Sequence, residues 1–398
     1  MLCKAYDLRQ HLKSLAILFS CILLAGCAAS SNWITVPEPL VEEARLAGFD
    51  EQIRFWGDAR PPHLDKMVSE QTRQLAAHWR SGKMEINMLS ISGGGEDGAF
   101  GAGLLNGWTQ RGNRPDFSYV TGVSTGGLIA PFAFLGPKYD GQLKEVFTTT
   151  STDDVLRQNF ISGLLSGTAI SDSAPLFALI SRYITPELIE RIAEQHRKGR
   201  RLFIGTTNLE AERPVVWNMG RIANSSNPEK VELFHRILLA SASIPGVFPP
   251  VPIKVVVDGK AYEEIHVDGG TISQVFLYPS QVDVKQLEKR HRLNERRAMY
   301  IIINGKTGPA FEKVQAKTID IANRALATLI KAQGNGDVSR LYGLARRDRI
   351  AFNLAFIPDS FNVPSKEEFD EAYMNALFNE GFSLGKNGYK WHKKPLDS

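Results

Sequence analysis

The sequence predicts an α/β fold: a mostly parallel central sheet in a three-layer α/β/α arrangement. Three observations lead there. From Glu85 onward, short apolar runs alternate with helical stretches, the order of repeated strand–helix units covered on both faces. Between residues 85 and 390 no linker, low-complexity tract or internal repeat divides the chain, which favours one large domain. Hydrophobic residues make up 43% and charged residues 23% of 398 residues, which is ordinary globular composition and enough chain to bury a core without staples.

The elements follow in order. Residues 1–26 read as a leader: Arg9 and Lys13 precede an apolar run from Leu15 to Ala29 that falls short of the ~20 residues needed to span a bilayer. Residues 28–36 read as a tether and 37–80 as a mostly helical extension, with Leu64, Met67, Val68, Gln71 and Leu75 at helical spacing and Pro61-Pro62 splitting it. The predicted strands are EINMLSI, FSYVTGV, RLFIGTT, PVVWNM, IKVVV, EEIHV, MYIIIN and IAFNLAFI. Helices are expected at AFGAGLLNGW, GGLIAPFAFL, 186–198, 230–242, 311–332 and 366–382. SSNP at 225–228 and GNGD at 334–337 read as surface turns. The division is therefore 1–26 leader, 27–84 tether and extension, and 85–398 main α/β domain.

Charge and cysteine usage exclude several classes. Forty-seven basic against 43 acidic residues give a net +4, too balanced to argue for nucleic acid. The three cysteines, Cys3, Cys21 and Cys27, all precede residue 28, so the body has no disulfide framework, cysteine-built zinc site or thiol nucleophile. No HExxH or similar spacing suggests a metal, and NGKTG at 304–308 lacks the upstream glycine of a P-loop. No cofactor is expected.

The apolar leader ends Leu24-Ala25-Gly26-Cys27, which resembles a bacterial lipobox. That resemblance implies a diacylglycerol on the Cys27 thiol and an N-terminus at that residue. Attachment would rest on acyl chains, each buried CH₂ contributing about 0.8 kcal/mol. Ala28 after the cysteine resembles the Gram-negative outer-membrane sorting pattern, and that resemblance implies a lipid-anchored protein of the bacterial cell envelope, at the outer membrane facing the periplasm.

Three constellations carry chemistry. Ser92-Gly93-Gly94-Gly95-Glu96-Asp97-Gly98 follows a strand and opens a helix. Gly93, Gly95 and Gly98 fit a dinucleotide-binding loop, but Asp116 precedes the next strand instead of ending it, and Glu96 and Asp97 would repel a pyrophosphate. The other reading is an oxyanion hole, with backbone N–H groups of Gly93, Gly94 and Gly95 converging on one point. The second constellation is Gly122-Val123-Ser124-Thr125-Gly126, a G-x-S-x-G between strand and helix, as a nucleophile elbow requires. The third is His266-Val267-Asp268-Gly269-Gly270 after a strand, which alone is an ordinary Asp-Gly turn.

Together, ISGGGEDGAFGAG, GVSTGG, ASASIPGVFPP and HVDGG, in that order, resemble the patatin-like phospholipases over residues 85–310. The resemblance implies a lipid acyl hydrolase with a serine–aspartate dyad. Ser124 would be the nucleophile, Asp268 its base, Gly93 to Gly95 the oxyanion donors, and Gly122 and Gly126 the elbow. The substrate would be a lipid or acyl ester. One position departs from the pattern: the family carries Arg or Lys two residues after the glycine triplet, where this chain has Asp97, which leaves head-group preference open. Two other readings stand beside it. One is a Ser-Asp-His esterase drawing on His266, His291 or His392, with His266 favoured as structural. The other is a silent lipid- or protein-binding lipoprotein. Phe132 and Phe134 read as core.

Overall fold

The computed structural model describes residues 33–78, 85–155, 157–158, 171–291 and 296–395. The lipobox and Cys27 lie outside the described residues. Nine strands form one sheet. They are β1 (Arg54–Trp56), β2 (Glu85–Ile91), β3 (Tyr119–Val123), β4 (Arg201–Asn208), β5 (Arg213–Asn218), β6 (Val251–Val257), β7 (Lys260–Asp268), β8 (Arg296–Ile303) and β9 (Ala351–Phe356). The longer helices are α1 (Leu64–His78), α2 (Gly98–Arg111), α3 (Thr125–Leu135), α4 (Asp140–Thr148), α5 (Ala174–Tyr183), α6 (Pro186–Arg197), α7 (Lys230–Ser241), α8 (Val284–His291), α9 (Thr318–Asp348) and α10 (Glu371–Asn387).

The parallel core runs β4-β3-β2-β8-β9. Its strands are apolar on both faces, as burial between two helical layers demands. On β2, Leu89 and Ile91 face one core while Ile86 and Met88 face the other. The first core holds residues of α2, α3, α6, α7 and α10, and the second is closed by the C-terminal half of α9, through Val338, Leu341, Leu344 and Ala345.

Beyond β4 the sheet turns antiparallel. β5 pairs with β4, β1 with β5, and the β6–β7 hairpin returns against β4. β1 comes from the segment read as a helical extension. Arg54, Phe55 and Trp56 pair with Trp217, Val216 and Val215 and extend the sheet edge, and only residues 64–78 of that segment form a long helix. The second difference is GNGD at 334–337, which is not a turn but the middle of α9. Its glycines are weak helix formers, but the buried stripe that follows them keeps the helix continuous. The last two helices begin later than expected, at Thr318 and Glu371.

Among the described residues no helix is long and apolar enough to cross a membrane, and no group of His, Cys, Asp and Glu could hold a metal ion.

Candidate active site

The sheet brings the second and third constellations together through one strand. Val123, the last residue of β3, pairs with Gly205 of β4. The next β4 residue, Thr206, pairs with Asp268, the last residue of β7. A parallel and an antiparallel neighbour thus meet end to end along one edge of β4. The residue leaving β3, Ser124, faces the residue ending β7. Both are nearly buried, with relative exposures of 7% and 5%.

Ser124 sits on a strained turn. Its φ is 54° and ψ is −129°, which a residue with a Cβ seldom adopts. The two glycines of G-x-S-x-G make the turn possible by close approach. A Cβ on Gly122 would lie 2.3 Å from the Gly126 carbonyl oxygen, and one on Gly126 would lie 2.3 Å from the Ile91 carbonyl oxygen. α3 starts directly after the serine, so its N-terminal dipole favours negative charge there.

Two serines of the ASASIPG stretch brace the pair. Ser241 Oγ accepts the Ser124 N–H at 3.0 Å and donates to the Gly205 carbonyl at 2.8 Å. The Ser243 carbonyl accepts the Asp268 N–H at 2.9 Å. The Thr207 hydroxyl holds the Asp268 carbonyl at 3.0 Å. Asp268 Oδ1 accepts the Gly270 N–H at 2.7 Å, while Oδ2 is a buried oxygen with no hydrogen-bond partner among the described residues. Burial drives the Asp268 pKa upward, and the Ser124 hydroxyl and the Gly270 N–H draw it partly back, leaving it at about 7. No cation offsets the burial.

The glycine loop lies beside this pair. The Gly93 N–H, expected as an oxyanion donor, instead donates to the Gln274 carbonyl at 3.2 Å. The loop amides without such a backbone partner are those of Gly94 and Gly95, where φ is +150° and +56°. Asn304 holds the loop in place. Its N–H donates to Ser92 Oγ and its Nδ2 to the Ser92 carbonyl, both at 2.9 Å, and its Oδ1 accepts the Gly101 N–H at 3.1 Å. A Cβ on Gly94 would come within 2.2 Å of the Asn304 carbonyl oxygen, so no other residue fits. Asn304 lies in the NGKTG segment, whose part in the site sequence reasoning missed. Gln274 was missed too. Its Nε2 donates to the Gly270 carbonyl at 2.8 Å, tying the glycine loop to the DGG turn, and it carries no motif that would have singled it out.

Asp97, at the position of the departure, is not a free anion at the mouth. The Tyr373 hydroxyl of α10 donates to it. Burial raises its pKa, Tyr373 lowers it, Glu96 raises it again, and Lys306 and Lys331 pull it down, for a result of about 6.

No described histidine hydrogen-bonds Ser124 or Asp268. His266 is fully buried with both ring nitrogens engaged, Nδ1 with Thr206 Oγ1 at 2.9 Å and Nε2 with Glu264 Oε2 at 3.2 Å. Since Glu264 is an acceptor and Thr206 Oγ1 already takes the Trp217 indole N–H at 2.8 Å, the proton sits on Nε2 and the threonine hydroxyl donates to Nδ1. His291 lies against Asp65, and His392 stacks on Phe356. Phe132 and Phe134 are core, as read.

No curated protein matches this chain. Among the solved structures that do is VipD from Legionella pneumophila, at 12% identity and a TM-score of 0.32, over 77% of this chain and 67% of that one. The model of the patatin-like phospholipase family matches residues 89–279. The segment that holds the glycine loop, the strained serine and the buried aspartate is thus matched as a patatin-like phospholipase domain.

Proposed function

We propose that this protein is a lipid acyl hydrolase, of phospholipase A or esterase type, working through an acyl-enzyme on Ser124 with Asp268 as the base. The observation that carries the proposal is the strained, buried Ser124 facing a buried aspartate that has no cationic partner.

In the first half-reaction Ser124 Oγ attacks the ester carbonyl carbon and its proton passes to Asp268. The carbonyl oxygen gains the charge, and the amides of Gly94 and Gly95 stabilise it. The ester C–O bond then breaks, and the leaving alcohol takes the proton from Asp268. In the second half-reaction water attacks the acyl carbon, gives its proton to Asp268, and the fatty acid leaves as Ser124 recovers that proton. A base with a pKa near 7 suits this shuttle, being ionised enough to accept and basic enough to compete for the hydroxyl proton. No histidine is needed.

In the same reading the mature chain begins at a lipidated Cys27 and resides at the outer membrane facing the periplasm. The sequence of the leader supports this part.

The test is a fluorophosphonate probe, which phosphonylates an activated serine. The parent chain labels and Ser124→Ala does not. Equal labelling of the two would remove Ser124 as nucleophile.

A further inference from the structure

The 31-residue α9 consists of two unlike halves. From Asp337 on it is anchored. The Asp337 carboxylate accepts the Gln274 N–H at 2.7 Å and the Ser273 hydroxyl at 3.0 Å, just after the DGG turn. One turn earlier, Gln333 Oε1 accepts the Gln274 amide at 3.3 Å. Preceding that point, residues 318–332 run on for about 20 Å at 1.5 Å per residue, and nearly every described side chain among them is exposed. Their composition is not that of a solvated helix. Ile321, Leu326, Leu329 and Ile330 are 54%, 48%, 67% and 39% exposed, with alanines between them. The loop leading into the helix adds Phe311, at 98% exposure, and it is strapped to the helix by Arg324 on Glu312 at 2.8 Å and by Lys331 on the Gly308 carbonyl at 3.0 Å.

We propose that this overhang, Phe311 together with the N-terminal half of α9, is a membrane-docking element that seats the mouth of the Ser124 site on an anionic lipid surface. Three features favour a bilayer. The large apolar side chains, Ile321, Leu326, Leu329 and Ile330, fall within one half of the helix circumference, and Asp320, Arg324 and Lys331 fall on the other half, the two-faced pattern of a helix that lies in a membrane interface. The segment from Lys306 to Lys331 carries five basic residues, Lys306, Lys313, Lys317, Arg324 and Lys331, against the acids Glu312 and Asp320. A basic rim around apolar side chains complements anionic head groups. Finally, Gln333 and Asp337 hold the element against the DGG turn, so a lipid surface that received it would lie at the mouth of the site. The relevance of that last feature rests on the acyl-hydrolase reading, whereas the binding test below does not require turnover.

The probe is a tryptophan at Leu329 in the full-length chain made inert by Ser124→Ala, mixed with vesicles of phosphatidylcholine alone or with phosphatidylglycerol. The Leu329→Trp contribution to emission should shift to the blue, be quenched by brominated acyl chains, and respond more strongly when phosphatidylglycerol is present. Unchanged emission in chains that sediment with vesicles would overturn the proposal, since another part of the chain, such as a lipidated Cys27, would then be the attachment. So would absence of sedimentation. Emission already blue in buffer that reddens on dilution would also overturn it, in favour of a second copy covering the helix. In the active chain, Leu329→Asp with Ile330→Asp should lower hydrolysis of vesicle lipid about tenfold or more and leave hydrolysis of a dissolved short-chain ester unchanged. Equal loss on both substrates would count against docking. A parent chain that hydrolyses neither would defeat the acyl-hydrolase reading and leave the tryptophan result standing.

Discussion

Strand β7 carries two buried carboxylates four residues apart, and they behave in opposite ways. Burial raises the pKa of Glu264, but Arg54 and His266 outweigh it and hold the group at about 2. The guanidinium reaches both carboxylate oxygens, with Nη2 on Oε1 at 2.9 Å, and the His266 ring meets Oε2 at 3.2 Å. Asp268 is as deeply buried but has only a hydroxyl and one backbone N–H to relieve it, and it rests at about 7. One strand thus holds one carboxyl as a fixed anion and leaves the other to titrate near neutral pH. The cation, supplied by β1, is the difference.

The comparison can be broken at either end. The largest effect is expected at Asp268. Asp268→Asn should fold and lose on the order of a thousandfold in kcat/KM, roughly 4 kcal/mol of transition-state stabilisation. The same variant should gain stability under the right conditions. The folded pKa of Asp268 lies above its unfolded value, so the stability due to its protonated form is full below about pH 4 and is lost as pH rises through 7. Thermal melts of Asp268→Asn should therefore exceed the parent at pH 8 and match it near pH 4. A variant that melts lower at pH 8 would mean that the carboxylate is held by partners and not merely tolerated.

At the other end, Arg54→Ala strands Glu264 and His266 without their cation. Breaking a buried pair in this way costs about 3 kcal/mol, measurable by urea unfolding, with much of the loss recovered when Glu264→Gln is added. Ester hydrolysis by the folded fraction should persist, because neither residue touches Ser124. A thousandfold loss of turnover there would merge the two clusters into one machine and undo the distinction.

Much of the site was legible in the sequence because its demands are local. G-x-S-x-G must place a serine at positive φ with two close backbone approaches, and Gly122 and Gly126 carry that requirement in plain sight. The parallel strands were legible for the same reason: their two-sided apolar runs are written within a few residues. What escaped depends on partners far along the chain. Asn304 braces the glycine loop across more than 200 residues. β1 reads as part of a helical extension until β5 is there to receive it. Gly93 sits in the loop as read, yet its N–H is taken by Gln274, whose carbonyl nothing in the local sequence announces. GNGD has the residues of a turn, and only the core contacts after it keep α9 helical.

The central claim is that an uncompensated, buried Asp268 is the base, and the pH profile of kcat/KM on a dissolved short-chain ester tests it most directly. The carboxylate is the working form, so activity should rise about tenfold per pH unit up to about pH 7 and then level off. A profile that stays flat down to pH 5, or an Asp268→Asn variant that keeps the limb near pH 7, would contradict it.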